Sequence, residues 1–483
     1  MKKSILKALQ TTIQGGVFSQ KEFRKFYSVD SSSYQIIPKA IVVPKNEKDV
    51  INTVKLAKKF KTSVTVRGAG TGLVGSALNN GIILDMKNFN SIKLAKNHVT
   101  IGPGTLKGKL DKKLEKQKKF FPPNPSIGSF CSIGGMLGNN SSGSRSLKYG
   151  SVIDNTTEIT FIDGNGTKIT LPKNKIVAKK ILKFVKKIDI KRIPNVTKNS
   201  SGYRIDKVKS IIDTHKVIIG SEGTLGIILS AKLNIKKIPR KRILFVIGYE
   251  TIRDAIKNCI EINKTGPSAI EFVDKTTLIQ IKFKFDSKIK CLLFVEFDEK
   301  ISLNEKKLKS VITEKIIKKL KKDSDISKWW KYRDSSLHYS LKSIKKEKRI
   351  PFVIEDAAVP LKNLQKLFLV LNKINKKYKT RSIVYGHAGN GNIHVRLVGD
   401  RKKIKIIKKI AVQYFKEVIK LGGTITAEHG DGLARSEFIK MQYGAKNYQI
   451  FKEIKKFFDP KNVLNPGKII TKKSTIIENL ENL

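Results

Sequence analysis

Two histidines stand close together in the segment YGHAGNGNIHVRL, residues 385–397, and a carboxylate with a third histidine follows further along the chain. The first two are His387 and His394, and the later neighbours are Glu428 and His429. Two imidazoles and one carboxylate form the ligand set of an open divalent-metal site, which leaves positions for water or substrate. These residues predict a metal site, although by themselves they do not say what the metal would do.

The end of the same segment, NIHVRL, alternates polar and apolar side chains, which predicts a β-strand. On such a strand Asn392, His394 and Arg396 share one face, and the apolar residues between them share the other. The apolar face can pack against a core, so the polar face would offer an imidazole and a guanidinium to a ligand. The glycine-rich turn before the strand would deliver His387.

The composition is that of a globular protein with an unusual charge. The chain has 483 residues, enough for two or three domains, of which 40% are hydrophobic, and its formal net charge is +58. Such a charge suggests nucleic-acid binding. However, most of the basic residues are lysines spread over the whole length, so we interpret the charge as a general surface property and expect no specific nucleic-acid partner. It could favour an acidic protein partner or an anionic membrane, and it would steer anionic substrates.

The cysteines and the N-terminus bear on the location of the protein. Cys131, Cys259 and Cys291 are far apart, which indicates no iron–sulfur cluster, zinc ribbon or disulfide framework within this chain and is typical of a reducing compartment. The first residues begin like a signal peptide, but Lys7 and Gln10 interrupt the apolar region, so we predict a short amphipathic helix. No apolar run has the length of a membrane span. We expect a cytoplasmic protein, with peripheral contact to the inner membrane face left open.

The first half of the chain contains three glycine-rich loops. The strand TSVTV runs into RGAGTGLVG, where Gly70, Gly72 and Gly75 match the dinucleotide-binding pattern GxGxxG. The sequence Asn79-Asn80-Gly81 follows at once, so no helix begins there, and we reject a Rossmann fold. A loop with Arg67 at its mouth can still wrap a pyrophosphate with backbone N–H groups. The other two loops lie in 120–150 and, after a predicted strand KVIIG (216–220), in 221–226.

The second half alternates strands with lysine-rich helices. We predict strands that include FVIEDAAVP (352–360) and helices over 251–263, 303–321, 361–376 and 402–420, which suits an α+β domain with helices on one face of a sheet. The interrupted pattern at 235–243 marks the main domain boundary. The residues after Gly467 are predicted to form a surface extension.

Seven motifs together resemble one family. In order they are RGAGTGLVG, PPNPSIGSFCSIGGMLGNNSSGSRSLKYG, KNSSGYR, GSEGTLGII, GHAGNGNIH, TAEHG and LNPGK. They resemble the FAD-dependent D-2-hydroxyacid dehydrogenases of the vanillyl-alcohol-oxidase type, over residues 36–470. The resemblance implies an α+β fold, with a two-subdomain FAD-binding domain at 36–238 and an antiparallel-sheet substrate domain at 239–470. An N-terminal helical segment (1–35) and a tail (471–483) would flank these domains.

The resemblance also implies a cofactor site. Its expected residues are Arg67, Gly68, Ala69, Gly70, Thr71, Gly72, Leu73, Pro122, Ser132, Gly134, Gly135, Gly138, Asn139, Asn140, Ser142, Gly143, Tyr149, Glu222, Gly223, Gly226, Ile227, Asn465 and Lys468. Relatives with covalently attached flavin have a histidine at the position of Thr71. A threonine cannot form that bond, so we expect non-covalent FAD.

The same resemblance implies that His387, His394 and Glu428 are metal ligands, for zinc or manganese, and that His429 is the catalytic base. Oxidation of a 2-hydroxy acid removes the hydroxyl proton while a hydride leaves Cα, so a cation at the developing alkoxide and a neutral imidazole beside it suit the reaction. Arg333 is expected to bind the substrate carboxylate, because a guanidinium fork fits a carboxylate, and Arg396 is the second candidate.

Several residues depart from the family pattern. Asn390 stands where many relatives have aspartate, and Leu337 and Ile354 replace a threonine and a lysine of the hydroxyglutarate enzymes. We therefore favour D-lactate or glycolate over D-2-hydroxyglutarate. The FAD subunit of a multi-subunit glycolate oxidase, a non-catalytic flavin subunit and a basic nucleic-acid-binding protein are the alternatives. The electron acceptor stays open among a quinone, a cytochrome, an electron-transfer flavoprotein, an iron–sulfur subunit and oxygen, and so does a homodimer.

Overall fold

The computed structural model describes residues 3–278, 283, 285–345, 350–400 and 404–480. Its first sheet is mixed and has the order β1-β2-β4-β3. The strands are β1 (Gly16–Phe18), β2 (Ala40–Val43), β3 (Val64–Arg67) and β4 (Ile82–Asp85), flanked by helices α1 (Lys3–Thr12), α2 (Lys21–Phe26) and α3 (Glu47–Lys59). Helix α3 begins after Asn46, whose side chain accepts a hydrogen bond from the backbone N–H of Asp49.

The second sheet is antiparallel and has the order β5-β6-β10-β8-β9. Its strands are β5 (Ile92–Leu94), β6 (His98–Ile101), β8 (Thr156–Ile162), β9 (Lys168–Leu171) and β10 (Ile227–Asn234). A separate pair joins β7 (Lys119–Phe120) to β11 (Lys236–Lys237), and the helices between these strands are α4 (Lys107–Glu115), α5 (Ile133–Asn139), α6 (Ser146–Tyr149) and α7 (Lys175–Val185).

The third sheet is also antiparallel, with the order β15-β12-β14-β13-β16-β17. Its strands are β12 (Ile243–Tyr249), β13 (Ala269–Asp274), β14 (Cys291–Phe297), β15 (Ile316–Leu320), β16 (Arg381–Gly386) and β17 (His394–Val398). The helices are α8 (Ile252–Asn263), α9 (Lys275–Leu278), α10 (Ile301–Val311), α11 (Asp323–Asp334), α12 (Ser336–Lys342), α13 (Leu364–Tyr378), α14 (Ile404–Lys420), α15 (Gly432–Arg435) and α16 (Ile439–Phe458). Helices α8, α13 and α14 share one apolar core with this sheet, which confirms the predicted α+β class.

Three predicted elements are wrong. The helix expected over 303–321 ends at Val311, and Ile316–Leu320 forms an edge strand beside β12, where Ile316 packs on one apolar core and Ile317 and Leu320 pack on another. The segment 352–360 makes only isolated bridges at Ala358, because its acidic side chains bind another loop instead. The segment KVIIG is a helical turn that continues from Ile211–Val217. Residues 402 and 403 of the last predicted helix lie outside the described residues.

The ends of the chain take part in the fold. The N-terminal segment contributes strand β1 as well as helices, and β1 pairs with β2. The tail, which we expected to be a surface extension, buries Ile476, whose carbonyl accepts a hydrogen bond from the Tyr34 hydroxyl. Across the described ranges, no helix combines the length and apolar character that a membrane crossing requires.

Candidate active site

A single long cavity runs between the glycine-rich loops and the third sheet, with a volume of about 1720 Å³ including its open mouth. The cavity joins the glycine-rich loops to the residues His387, His394 and His429, so a ligand held by the loops and a ligand held by the histidines would meet in it. Most of the expected cofactor residues line it, namely Arg67, Gly68, Ala69, Gly70, Thr71, Gly72, Leu73, Ser132, Gly134, Gly135, Gly138, Asn139, Ser142, Gly143, Glu222, Gly223 and Gly226.

The cavity wall leaves open space beside several glycines. A Cβ atom added at Gly72, Gly138 or Gly223 would meet no protein atom closer than 3.6 Å. At these places the backbone is exposed to the cavity, as a ligand held by main-chain N–H groups requires. Arg67 also contributes to the wall, and its buried Nη1 has no hydrogen-bond partner within the described part of the chain. The residues present therefore fit an anionic dinucleotide cofactor such as FAD.

Six expected cofactor residues, Pro122, Asn140, Tyr149, Ile227, Asn465 and Lys468, do not line the cavity, and several of them hold its wall in place instead. Asn465 donates to the carbonyls of Ser76 and Glu222, and Lys468 donates to the carbonyl of Leu78. Asn140 accepts from the N–H of Ile153. Conversely, Cys131 lines the cavity with its thiol 3.5 Å from the Thr71 hydroxyl, which a lone cysteine in the sequence did not signal.

The predicted metal ligands meet at one end of the cavity. Nε2 of His387 is 2.8 Å, and Nε2 of His394 is 3.2 Å, from the same carboxylate oxygen, Oε1 of Glu428. All three side chains are buried, and each offers a donor atom within 4.8 Å of the others. Strand β17 places His394 and Arg396 on the cavity side, while Val395 and Leu397 join the core, as the alternating sequence predicts.

The groups behind His387 and Glu428 fix the orientation of these two side chains. Nδ1 of His387 is 2.7 Å from Glu271, and a carboxylate in this position is the usual partner of a metal-binding imidazole. The second oxygen of Glu428 accepts from Ser142 at 2.5 Å and from Lys198 at 2.8 Å. Burial would raise the pKa of Glu428, but Lys198 and His387 hold it well below its usual range. Two imidazoles and an ionised carboxylate fit a zinc or manganese ion.

The two candidate arginines both line the cavity, but their surroundings differ. Nε and Nη2 of Arg333 are each 2.5 Å from Oε2 of Glu271, so its charge is already compensated by a buried carboxylate. The guanidinium of Arg396 lies 3.6 Å from the centre of the Phe352 ring, in a stacked contact. The sequence did not reveal the partner of Arg333, because Glu271 lies on β13, far away along the chain.

His429 lies beside the cluster and is more exposed than the metal-ligand candidates. Its ring stacks on that of His394 with centroids 5.1 Å apart, and its Nδ1 is 2.5 Å from Oε1 of Glu355. Burial would lower the pKa of His429, but Glu355 and Asp356 raise it to about 9. The side chain is 25% exposed, so the ring can reach a ligand in the cavity.

The two tryptophans of the chain, Trp329 and Trp330, pack in the core. Trp329 and Trp330 belong to an apolar cluster that includes Phe294, and neither is among the residues that line the cavity. Nε1 of Trp330 donates to Glu296 at 2.8 Å. They are core residues and not part of a substrate mouth.

Two family models match the chain. Residues 38–172 match the FAD binding domain, and residues 238–469 match the C-terminal domain of FAD linked oxidases. The chain belongs to the FAD-linked oxidase family. This FAD-linked oxidoreductase is of the kind that acts on CH–OH groups.

Curated relatives of this oxidase have the same organisation over most of its length. The glycolate oxidase subunit GlcD of Bacillus subtilis (strain 168) is 27% identical over 468 residues, which cover 93% of this chain and 93% of that protein. The mitochondrial D-lactate dehydrogenase [cytochrome] of Arabidopsis thaliana is 26% identical and covers 97% of this chain and 80% of its own. The D-2-hydroxyglutarate dehydrogenase of Haemophilus influenzae is 29% identical, but the alignment spans only 50% of that longer protein.

A solved structure of alkyldihydroxyacetonephosphate synthase has the same fold. It superposes with a TM-score of 0.69 at 19% identity and covers 97% of this oxidase and 86% of that chain. At this identity the likeness concerns the fold alone. The curated relatives place the chain in the D-2-hydroxyacid dehydrogenase type of FAD-linked oxidases.

Proposed function

We propose that this oxidase converts a small D-2-hydroxy acid, with D-lactate or glycolate favoured, to the 2-oxo acid. The observation that carries the proposal is the meeting of His387, His394, Glu428 and His429 in the same cavity as the glycine-rich loops. FAD, when bound, accepts the hydride from the substrate Cα. A divalent metal, when bound, supplies positive charge for the hydroxyl oxygen. A substrate between these groups would meet donors, a base and a cofactor in one enclosed space.

The chain itself would supply the remaining chemistry. His387, His394 and Glu428 would hold the metal, zinc or manganese, and the cavity-lining glycines would hold FAD without a covalent bond, since Thr71 replaces the histidine of the covalent type. His429 would take the hydroxyl proton in its neutral form, which a cation held by the three neighbouring donors would favour by repulsion; its ring lies beside these donors and remains partly exposed. The two family-model matches support an FAD domain at 36–238 and a substrate domain at 239–470.

Several side chains favour a monocarboxylate substrate. Arg333 and Arg396 both line the cavity, and a guanidinium from either would bind one substrate carboxylate. Asp334 and Leu337 also line the cavity. An acidic and an apolar side chain would disfavour the second carboxylate of hydroxyglutarate. Oxidation of D-2-hydroxyglutarate, the activity in the name of one curated relative, is therefore the second candidate.

The electron acceptor would be reached at the surface beside the cavity mouth. Ile127 lines the cavity and is 44% exposed, and Leu106 and Phe130 nearby are 41% and 69% exposed. Helix α4 begins directly after Leu106 and carries exposed lysines, such as Lys109 and Lys112. An exposed apolar patch next to a lysine-bearing helix, here called the mouth patch, suits an anionic membrane, so we propose a cytoplasmic protein that contacts the membrane peripherally and passes electrons to a quinone.

The mouth patch can be tested with vesicles. The protein should sediment with anionic phospholipid vesicles more than with neutral ones, and Phe130→Ser should reduce that binding without changing flavin content. If the variant bound the vesicles as well as the wild type, the mouth patch would be excluded as the membrane contact. That result would favour a protein acceptor such as a cytochrome, an electron-transfer flavoprotein or an iron–sulfur subunit, as in a multi-subunit glycolate oxidase.

The function is tested by the absorbance spectrum of the purified protein and by anaerobic addition of hydroxy acids. We expect flavin absorbance that D-2-hydroxy acids bleach, and a His429→Asn variant that keeps flavin but is no longer reduced by substrate. Dithionite should reduce both proteins equally, as the control. A protein that carries nucleic acid and no flavin would overturn the proposal.

A further inference from the structure

The segment 352–360, which the sequence predicted to be a strand, instead holds the ring and the backbone of His429 through Glu355 and Asp356. Oε1 of Glu355 is 2.5 Å from Nδ1 of His429, and the Glu355 side chain is only 3% exposed. An ionised carboxylate can only accept hydrogen bonds, so the hydrogen of this contact belongs to Nδ1. Since a neutral imidazole carries one N–H, its Nε2 is left as the acceptor. That atom lies 3.8 Å from Oε1 of Glu428, on the side of the three clustered donors.

Glu355 is itself held from behind. Nη2 of Arg435 is 3.3 Å from Oε2 of Glu355. The guanidinium of Arg435 is completely buried and donates to the carbonyls of Val353 and Gly430. This buried cation, held by its own hydrogen bonds, compensates the charge of the carboxylate through a close ion pair.

The neighbouring carboxylate holds the main chain. Oδ2 of Asp356 accepts the backbone N–H groups of Ala427, Glu428 and His429 at 2.9–3.0 Å, and the hydroxyl of Thr426 at 2.6 Å. The loop that carries His429 is thereby fixed by Asp356, while the remaining rotation of the ring is fixed by Glu355. Asp356 thus fixes the backbone of His429, and the adjacent Glu355 fixes its side chain.

We propose that Glu355 is a positioning residue, which selects the Nδ1–H tautomer of His429 and directs Nε2 towards the substrate hydroxyl. This inference rests on the proposed oxidation of a 2-hydroxy acid. In that reaction the substrate O–H bond would break and its proton would go to Nε2, while FAD, if bound, would supply the acceptor for the hydride from Cα and the C–O bond would become a carbonyl. The imidazolium that forms keeps its Nδ1–H on Glu355, which stabilises the new charge.

The test compares Glu355→Gln with Glu437→Gln, a partly buried glutamate paired with Lys408 outside the cavity. Glutamine keeps the size of the side chain but can present either an oxygen or an N–H to Nδ1. We expect the limiting rate of anaerobic flavin reduction to fall about 10²–10⁴-fold in Glu355→Gln, the range associated with loss of an oriented base. Substrate affinity and flavin content should change little, and Glu437→Gln should behave as the wild type.

A second background separates positioning from a general structural effect. In a His429→Asn protein, the added Glu355→Gln change should cost no further rate, because Glu355 acts only through His429. Equal losses in both backgrounds, or a Glu355→Gln rate close to that of the wild type, would overturn the inference.

The tautomer can also be read without a substrate. Histidine-selective ¹⁵N spectra recorded with a neutral ring should show His429 with the hydrogen on Nδ1, assigned from its loss in His429→Asn. A wild-type ring with the hydrogen on Nε2 would overturn the inference about Glu355, whether or not a hydroxy acid reduces the flavin. If no hydroxy acid reduces the flavin but the hydrogen is on Nδ1, only the proposed function is overturned.

Discussion

Replacing Gly138 by alanine should separate folding from cofactor binding. Gly138 lies in helix α5 and lines the cavity, and a Cβ there would meet no protein atom closer than 4.0 Å. The free protein therefore has room for the methyl group. Because alanine has less freedom than glycine in the unfolded chain, the variant should gain about 0.5–1 kcal/mol of folding free energy.

The same methyl group would occupy space that the cofactor needs. Forcing a methyl into a packed contact costs about 1–3 kcal/mol. At about 1.4 kcal/mol per tenfold change in affinity, the Kd for FAD should rise about 5- to 150-fold. The expected result is a protein that is slightly more stable and binds FAD more weakly.

Two titrations measure the two effects. Quenching of flavin fluorescence gives the Kd for FAD on apo-protein, and urea unfolding of the apo-protein gives the folding free energy. Gly266→Ala is the control, because Gly266 has φ of +78° and no atom lies within 4 Å of an added Cβ. This variant should lose about 1–2 kcal/mol of folding free energy, because alanine disfavours a positive φ, and it should keep its affinity for FAD. If Gly138→Ala bound FAD as tightly as the wild type, the glycine wall would not be the cofactor site.

Three further predictions concern the metal, the contact between the two halves and pH. Elemental analysis should find a divalent metal in the wild type and little in His394→Ala, with flavin retained; an active wild type without metal would contradict this. Arg145→Ala should lower the unfolding free energy by about 3–5 kcal/mol, because it leaves the buried Glu296 without its bidentate partner. The control Lys264→Ala, at an exposed ion pair, should lower it by less than about 1 kcal/mol. Equal losses of the two variants in urea unfolding would refute this prediction. Burial raises the pKa of Asp274 to about 6, against partial compensation by backbone N–H groups, so the folded state holds a proton that the unfolded state releases. Stability should therefore fall as pH rises from about 4 to 6, and Asp274→Asn should flatten that slope in unfolding curves; an unchanged slope would exclude Asp274 as its source.

Local patterns predicted the parts of the site that depend on neighbouring residues. The alternation in NIHVRL was enough to put His394 and Arg396 on the cavity side, because side chains on a strand point alternately to its two faces. The glycines of RGAGTGLVG predicted a backbone-lined loop without a following helix, and the structure has none before β4.

Contacts between distant segments could not be predicted in this way. Lys198 reaches Glu428 from the first half of the chain, and Glu271 takes up the charge of Arg333, although nothing in the local sequence relates these residues. The segment around Glu355 and Asp356 is apolar enough to be taken for a strand. Its two carboxylates bind the loop of His429 instead, and this tertiary contact overrides the local preference.

The most direct test of the central claim is rapid mixing of the anaerobic, flavin-loaded protein with the two enantiomers of lactate. D-lactate should bleach the flavin in a single turnover and yield pyruvate, deuterium at Cα should slow the bleaching, and L-lactate should leave the spectrum unchanged. Flavin that D-lactate, glycolate and other D-2-hydroxy acids all fail to reduce would contradict the claim.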